Sequence, residues 1–141
     1  MDVFVYGTLT SPKRARKLLD SFAFVGPAPL SGLHLVEGQH PTLVPGGRTA
    51  GRLLRTEEID RIDRYERVED GLYVRISVPL DVTDEDHARD YPEEVAVYVG
   101  DPDRLGADAT WPGEGRSFED CVHRYLMTAD VRVRVGSSTP V

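Results

Sequence analysis

The chain has 141 residues, 40 % of them hydrophobic and 29 % charged, with a formal net charge of -7. That length suits one domain with a real core, the acidic balance disfavours nucleic acid, whose phosphates require a Lys/Arg footprint, and no apolar run approaches a membrane span. The single Cys121 excludes an internal disulfide and a thiolate metal cluster, and with Met1 leading straight into a strand-like run no signal peptide is expected, so the location expected is cytoplasmic.

The N-terminal stretch Val3-Phe4-Val5-Tyr6-Gly7-Thr8-Leu9 begins as a strand. Its unbroken apolar start suits a strand buried on both faces. It breaks at Gly7, and Ser11-Pro12 then opens a basic helix, with Lys13, Arg14, Arg16 and Lys17 read as a solvated face. Ala15, Leu18, Leu19 and Phe22 give that helix its apolar stripe, to about Ser21. A strand, a glycine loop and a helix start bring several backbone N–H groups to one point, which suits an anion or a developing oxyanion. The plainer alternative is an ordinary strand-loop-helix corner.

Phe22 to Leu35 reads as two extended pieces joined by a bend, and Glu37 to Gly47, with Pro41, Pro45 and Gly46-Gly47, as a loop. Thr49 to Arg55 is a short strand. The spacing predicts a helix over Thr56 to Glu66, with Thr56 as N-cap and Glu57 and Glu58 in the first turn. At about 100° per residue, Ile59 and Ile62 point the same way and Glu66 projects between them. A carboxylate in an apolar stripe without a cation has a raised pKa, which makes a Glu a useful base near neutral pH. The alternatives are that Glu66 bends to solvent at the helix end or pairs with Arg75, and Asp63, beside the same stripe, competes for any acid-base role.

Leu72 to Val82 alternates as a long strand, with Tyr73, Arg75 and Ser77 on one face, and Val95 to Val99 is another strand. Between them Asp84 to Glu94 is an acidic, exposed excursion, and residues 100–116, with the only Trp, Trp111, read as an irregular surface segment. Ser117 caps a helix whose apolar face carries Phe118, Cys121, Val122, Tyr125 and Leu126, so Cys121 reads as a buried structural thiol. Val131, Val133 and Val135 alternate with Arg132 and Arg134 as a half-exposed final strand. Strands interleaved with three short helices and no βαβ repeat give an α+β class.

No G-x-S-x-G, H-E-x-x-H, P-loop or G-x-G-x-x-G is present, and His34, His40, His87 and His123 are dispersed, so neither a metal nor a dinucleotide is expected.

Phe4-Val5-Tyr6-Gly7-Thr8-Leu9, then Phe24-Val25-Gly26, Gly32, Pro41, Gly51-Arg52-Leu53, Asp63-Arg64-Tyr65-Glu66 and Tyr73-Val74-Arg75 follow one another in the order seen in the gamma-glutamylcyclotransferase-like family, which the chain resembles over residues 3 to 99. The resemblance implies a small mixed β-barrel with peripheral helices, forming a single domain over 1–141 with 100–141 as a C-terminal extension. It implies a cavity lined by the Tyr-Gly-Thr-Leu loop and the helix glutamate, matched by Glu66. It also implies a γ-glutamyl substrate, with no metal or organic cofactor. In such enzymes the glutamate takes a proton from the α-ammonium, and the freed amine closes on the γ-carbonyl, releasing 5-oxoproline. The expected roles are Glu66 as catalytic base, with Tyr6, Gly7, Thr8, Leu9, Tyr73 and Arg75 binding substrate. For Tyr73 and Arg75 the alternative is a barrel-wall pair, with Arg75 bridging to Glu66 or Asp63. At the level of function the alternative is a non-catalytic module that holds a small carboxylate in the same cavity. Two positions depart from the family pattern: Arg67 follows the glutamate where a Gly is frequent, and Leu54 stands where a Tyr is common.

Overall fold

The computed structural model describes residues 1–38, 40–82, 91–113 and 116–135. Among the described residues, eight strands form one mixed sheet that curls into a half-barrel, with four short helices packed around it. The strands are β1 (Asp2–Val5), β2 (Ala23–Pro27), β3 (Leu30–Val36), β4 (Thr42–Thr49), β5 (Arg52–Arg55), β6 (Tyr73–Val82), β7 (Glu94–Gly100) and β8 (Arg132–Val135). The helices are α1 (Pro12–Leu18), α2 (Ile59–Tyr65), α3 (Pro102–Leu105) and α4 (Phe118–Thr128). The strand order is β2-β5-β1-β7-β6-β8-β3-β4. Among the described residues, no helix is long and apolar enough to cross a membrane.

The first strand sits inside the sheet, antiparallel to β5 and parallel to β7. Its residues are buried throughout, as an unbroken apolar run requires. Phe4 points into the half-barrel with Leu33, Leu53, Val97 and Val133. Val3 and Val5 point outward, under Ala15 and Leu19 of α1 and its C-cap and Ile62 of α2. Those contacts pack both helices against the outer face of β1. At the other side of the half-barrel, Thr42 of β4 ties to the end of β7. Its hydroxyl donates to the Gly100 carbonyl and accepts from the Gly100 N–H, both at 2.8 Å.

Several expectations are corrected. The stretch Glu37 to Gly47 is not all loop, because β4 starts at Thr42 and pairs with β3 through Pro45 and beyond. Its turn-forming residues fall in a bulge on an edge strand, where Pro45 forfeits no essential ladder bond. Gly46 and Gly47 take φ values of 98° and 71° there, which side chains rarely adopt. The helix expected from Thr56 starts at Ile59. The Thr56 hydroxyl instead accepts from the Glu58 N–H at 3.1 Å and donates to the Ser21 carbonyl at 2.8 Å, stapling the strand end. Helix α1 stops at Leu18, earlier than its apolar stripe suggests. The segment 100–116 carries α3, capped by Asp101 and ended by Gly106, and Trp111 packs edge-on against Phe118 and Tyr125 at the core.

The final helix and strand follow the expected pattern. The Ser117 side chain accepts from the Asp120 N–H, and Cys121 and Val122 are buried. Strand β8 inserts between β6 and β3, placing Val133 in the core. Of the acidic excursion expected at 84–94, residues 84–90 lie outside the described residues.

Candidate active site

The backbone turns sharply where β1 ends. Tyr6 and Gly7 lead into a single 3-10 turn, Thr8–Thr10, and both the N–H and the hydroxyl of Thr10 close on the Gly7 carbonyl, at 3.0 and 2.7 Å. A 3-10 turn has no internal acceptors for its first N–H groups, here those of Thr8 and Leu9. Gly7 lies close to Pro41: a Cβ at that position would come within 3.3 Å of the proline Cγ. The loop and the residue ahead of β4 therefore meet closely, and a side chain at Gly7 would have to push Pro41 by a few tenths of an ångström.

Helix α2 anchors itself through Ile62, which is fully buried. Glu66 follows one turn later, its N–H bonded to the Ile62 carbonyl at 2.9 Å. That spacing swings the carboxyl back toward the apolar face, and burial pushes its pKa up to about 7. Among the described residues the carboxylate accepts no hydrogen bond and forms no ion pair. Arg75 does not neutralise it. The Arg75 guanidinium pairs with Asp63 at 3.0 Å, and Asp63 also accepts from the Tyr98 hydroxyl at 2.5 Å. The Arg75 guanidinium and the Tyr98 hydroxyl thus occupy Asp63, whereas Glu66 has no such partner among the described residues.

A cavity of about 300 Å³ opens over these groups. Tyr6, Gly7 and Leu9 line it from the turn, Glu66 and Arg67 from the end of α2, and Tyr73 and Tyr98 from β6 and β7. His40 and Pro41 complete the wall ahead of β4. The three tyrosines are held by their hydroxyls. Tyr6 donates to the Tyr98 carbonyl at 2.5 Å, Tyr73 to the Pro41 carbonyl at 3.0 Å, and Tyr98 to Asp63. Burial raises the pKa of each, with Glu66 adding to the effect at Tyr6 and Tyr73 and Asp63 at Tyr98. They are therefore neutral, oriented walls and not bases.

Of the residues singled out in the sequence, the fold brings Tyr6, Gly7, Leu9, Glu66 and Tyr73 to one cavity. Arg75 does not line it and is committed to Asp63, the barrel-wall alternative. Thr8 lies in the turn. Sequence reasoning missed Tyr98, His40 and Arg67. Tyr98 had a usable signal, a polar-tipped aromatic in an otherwise Val/Ala strand, but its position opposite Arg75 comes from the β6–β7 register.

The sequence profile of the family described as gamma-glutamyl cyclotransferase, AIG2-like, matches residues 3–115. The chain belongs to that family. As a member it shares the family's fold with solved structures at low identity. One is a gamma-glutamyl cyclotransferase, 16 % identical with a TM-score of 0.56, covering 90 % of this chain and 98 % of its own. Another is an uncharacterised protein from Homo sapiens, 17 % identical with a TM-score of 0.59, covering 89 % and 97 %. A third, uncharacterised, comes from Pyrococcus horikoshii, 17 % identical with a TM-score of 0.53, covering 91 % and 98 %. Nothing among curated protein sequences matches the chain. Family membership supports cyclotransferase-type activity on a small molecule.

Proposed function

We propose that the protein is a cyclotransferase that releases 5-oxoproline from a γ-glutamyl compound, with Glu66 as general base. The observation that carries this reading is the Glu66 carboxyl itself, raised to about 7 by burial, without a cation partner, on the wall of the cavity that Tyr6, Gly7 and Leu9 also line. At neutral pH about half of such carboxyls are ionised and able to accept a proton.

In this mechanism the α-ammonium of the glutamyl group lies beside Glu66 and gives it one proton. The freed amine attacks the γ-carbonyl carbon, forming the ring C–N bond and a tetrahedral oxyanion. Collapse breaks the bond to the leaving nitrogen. Of the three ammonium protons one stays on the lactam nitrogen and two end on the leaving amine, with Glu66 carrying them in turn. The ring closes within one molecule, so orientation supplies much of the rate, with effective molarities of roughly 10⁵ M or more for well-placed partners. The N–H groups at the 3-10 turn are suited to hold the oxyanion or the substrate carboxylate, and losing one such donor typically costs about 10²-fold or more in turnover.

A panel of γ-glutamyl amines, amino acids and peptides, assayed for 5-oxoproline by mass spectrometry, tests this. Glu66→Gln is expected to abolish release while the variant stays folded. Undiminished turnover by that variant would sink the assignment.

A further inference from the structure

A fourth tyrosine lines the cavity, and unlike Tyr6, Tyr73 and Tyr98 its hydroxyl is not committed. Tyr65 is the last residue of α2, three after the buried Ile62 and directly before Glu66. Residues three apart are neighbours on a helix surface, so Tyr65 stands at the flank of the face that Ile62 buries. Among the described residues its hydroxyl has no hydrogen-bond partner. The side chain lies on the cavity side of the helix. It is close enough to Tyr73 to help raise the pKa of that phenol, whose hydroxyl grips the Pro41 carbonyl in the wall.

Tyr65 also sits at a different depth. Tyr73 and Tyr98 are 6 % and 4 % exposed, whereas Tyr65 is 48 % exposed. Tyr73 and Tyr98 therefore belong to the floor of the cavity and Tyr65 to its mouth. Leu72, half-buried, lines the same cavity, so its wall carries apolar surface that the fold leaves partly uncovered. No hydrogen bond holds the Tyr65 ring in one rotamer, and a ring of that kind can turn onto a ligand and bury a large apolar area against it.

Which part of a substrate meets this ring follows from depth, given the reading of the cavity as a γ-glutamyl site. Ring closure brings the α-amine and the γ-carbonyl together beside Glu66 and the 3-10 turn. The leaving group is attached at the γ-carbonyl and extends from there toward the mouth, where Tyr65 stands. We propose that Tyr65 is a specificity-determining residue whose ring packs against an apolar side chain on the leaving amino acid, so that γ-glutamyl-phenylalanine is preferred over γ-glutamyl-glycine.

The two compounds carry the same charges and differ by one benzyl group. The intact chain is expected to favour the phenylalanine compound by about tenfold in kcat/KM. Tyr65→Phe keeps the ring and should keep that ratio. Tyr65→Ser removes the ring at a half-exposed position and should bring the ratio within about threefold of one. A ratio near one in the intact chain, a ratio that survives Tyr65→Ser, or a ratio lost equally in Tyr65→Phe overturns the assignment. If neither compound yields 5-oxoproline, the cyclotransferase reading fails by itself, and calorimetric titration of the two compounds into the same three proteins then reads the ratio as affinities. Tighter binding of the phenylalanine compound that Tyr65→Ser alone removes supports the role of Tyr65; equal affinities, or no binding of either, overturn it.

Discussion

Replacing Glu66 with Gln should change how stability responds to pH, separately from any effect on turnover. The folded chain holds the Glu66 proton up to about pH 7, against a usual 4.5. Between those values the folded state binds more protons than the unfolded one, so stability falls as pH rises. The contribution is fully present below pH 4.5 and is lost by the time pH passes about 7. At about 1.4 kcal/mol per pH unit the span corresponds to about 3 kcal/mol, reduced in practice because the carboxyl keeps contact with the water of the cavity. Gln cannot ionise and escapes the loss. The two proteins should therefore be close in stability at pH 4.5, and Glu66→Gln should be more stable by about 1–3 kcal/mol at pH 8. Urea unfolding at several pH values reads the difference directly. A gap that does not vary between pH 4.5 and 8 would refute the argument that burial governs this carboxyl.

The same carboxyl sets the expected pH profile of activity: kcat/KM should rise through about pH 7 as Glu66 ionises, and an acid limb centred near 4.5 would instead indicate an ordinary solvated glutamate. Gly7→Ala puts a methyl 3.3 Å from the Pro41 Cγ and shifts the turn against the cavity wall. It should lower turnover by about 10²-fold if the turn supplies a donor to the oxyanion, with a melting temperature much less affected, and a variant of full activity would remove the turn from the mechanism. Tyr98→Phe leaves Asp63 with Arg75 alone. A loss of about 1–3 kcal/mol is expected from thermal or urea unfolding, and a neutral substitution would mean that the Asp63 network does not brace the site.

The sequence made the local elements easier to read than their assembly. The strand at Val3 to Val5, the alternation of β6, the apolar face of α4 and the valines of β8 all follow from periodicity, because in each the buried face repeats within the element itself. Strand β4 was hidden for the opposite reason. Its Pro45-Gly46-Gly47 is turn chemistry by any local rule, and only the pairing with β3 makes it a bulge. Thr56 looked like a cap because it precedes acidic residues and an apolar stripe, yet its hydroxyl serves Ser21, far along the chain. At the site, Glu66 stood out because a carboxyl interrupts an apolar stripe. Arg75 was expected at the cavity because it shares a strand face with Tyr73. That face alone did not reveal that Asp63 and Tyr98 would hold it away.

The Thr42–Gly100 latch has a consequence for ligand exchange. It joins the last strand of the sheet to β7 through one side chain, and Pro41, next to Thr42, carries the carbonyl that Tyr73 grips. Parting of this seam would move Pro41 and its hold on Tyr73, and with them part of the cavity wall. A small molecule held in the cavity would then leave by local opening of the seam while the core stays closed, and the protection of the Gly100 amide against solvent exchange would report how often that door swings.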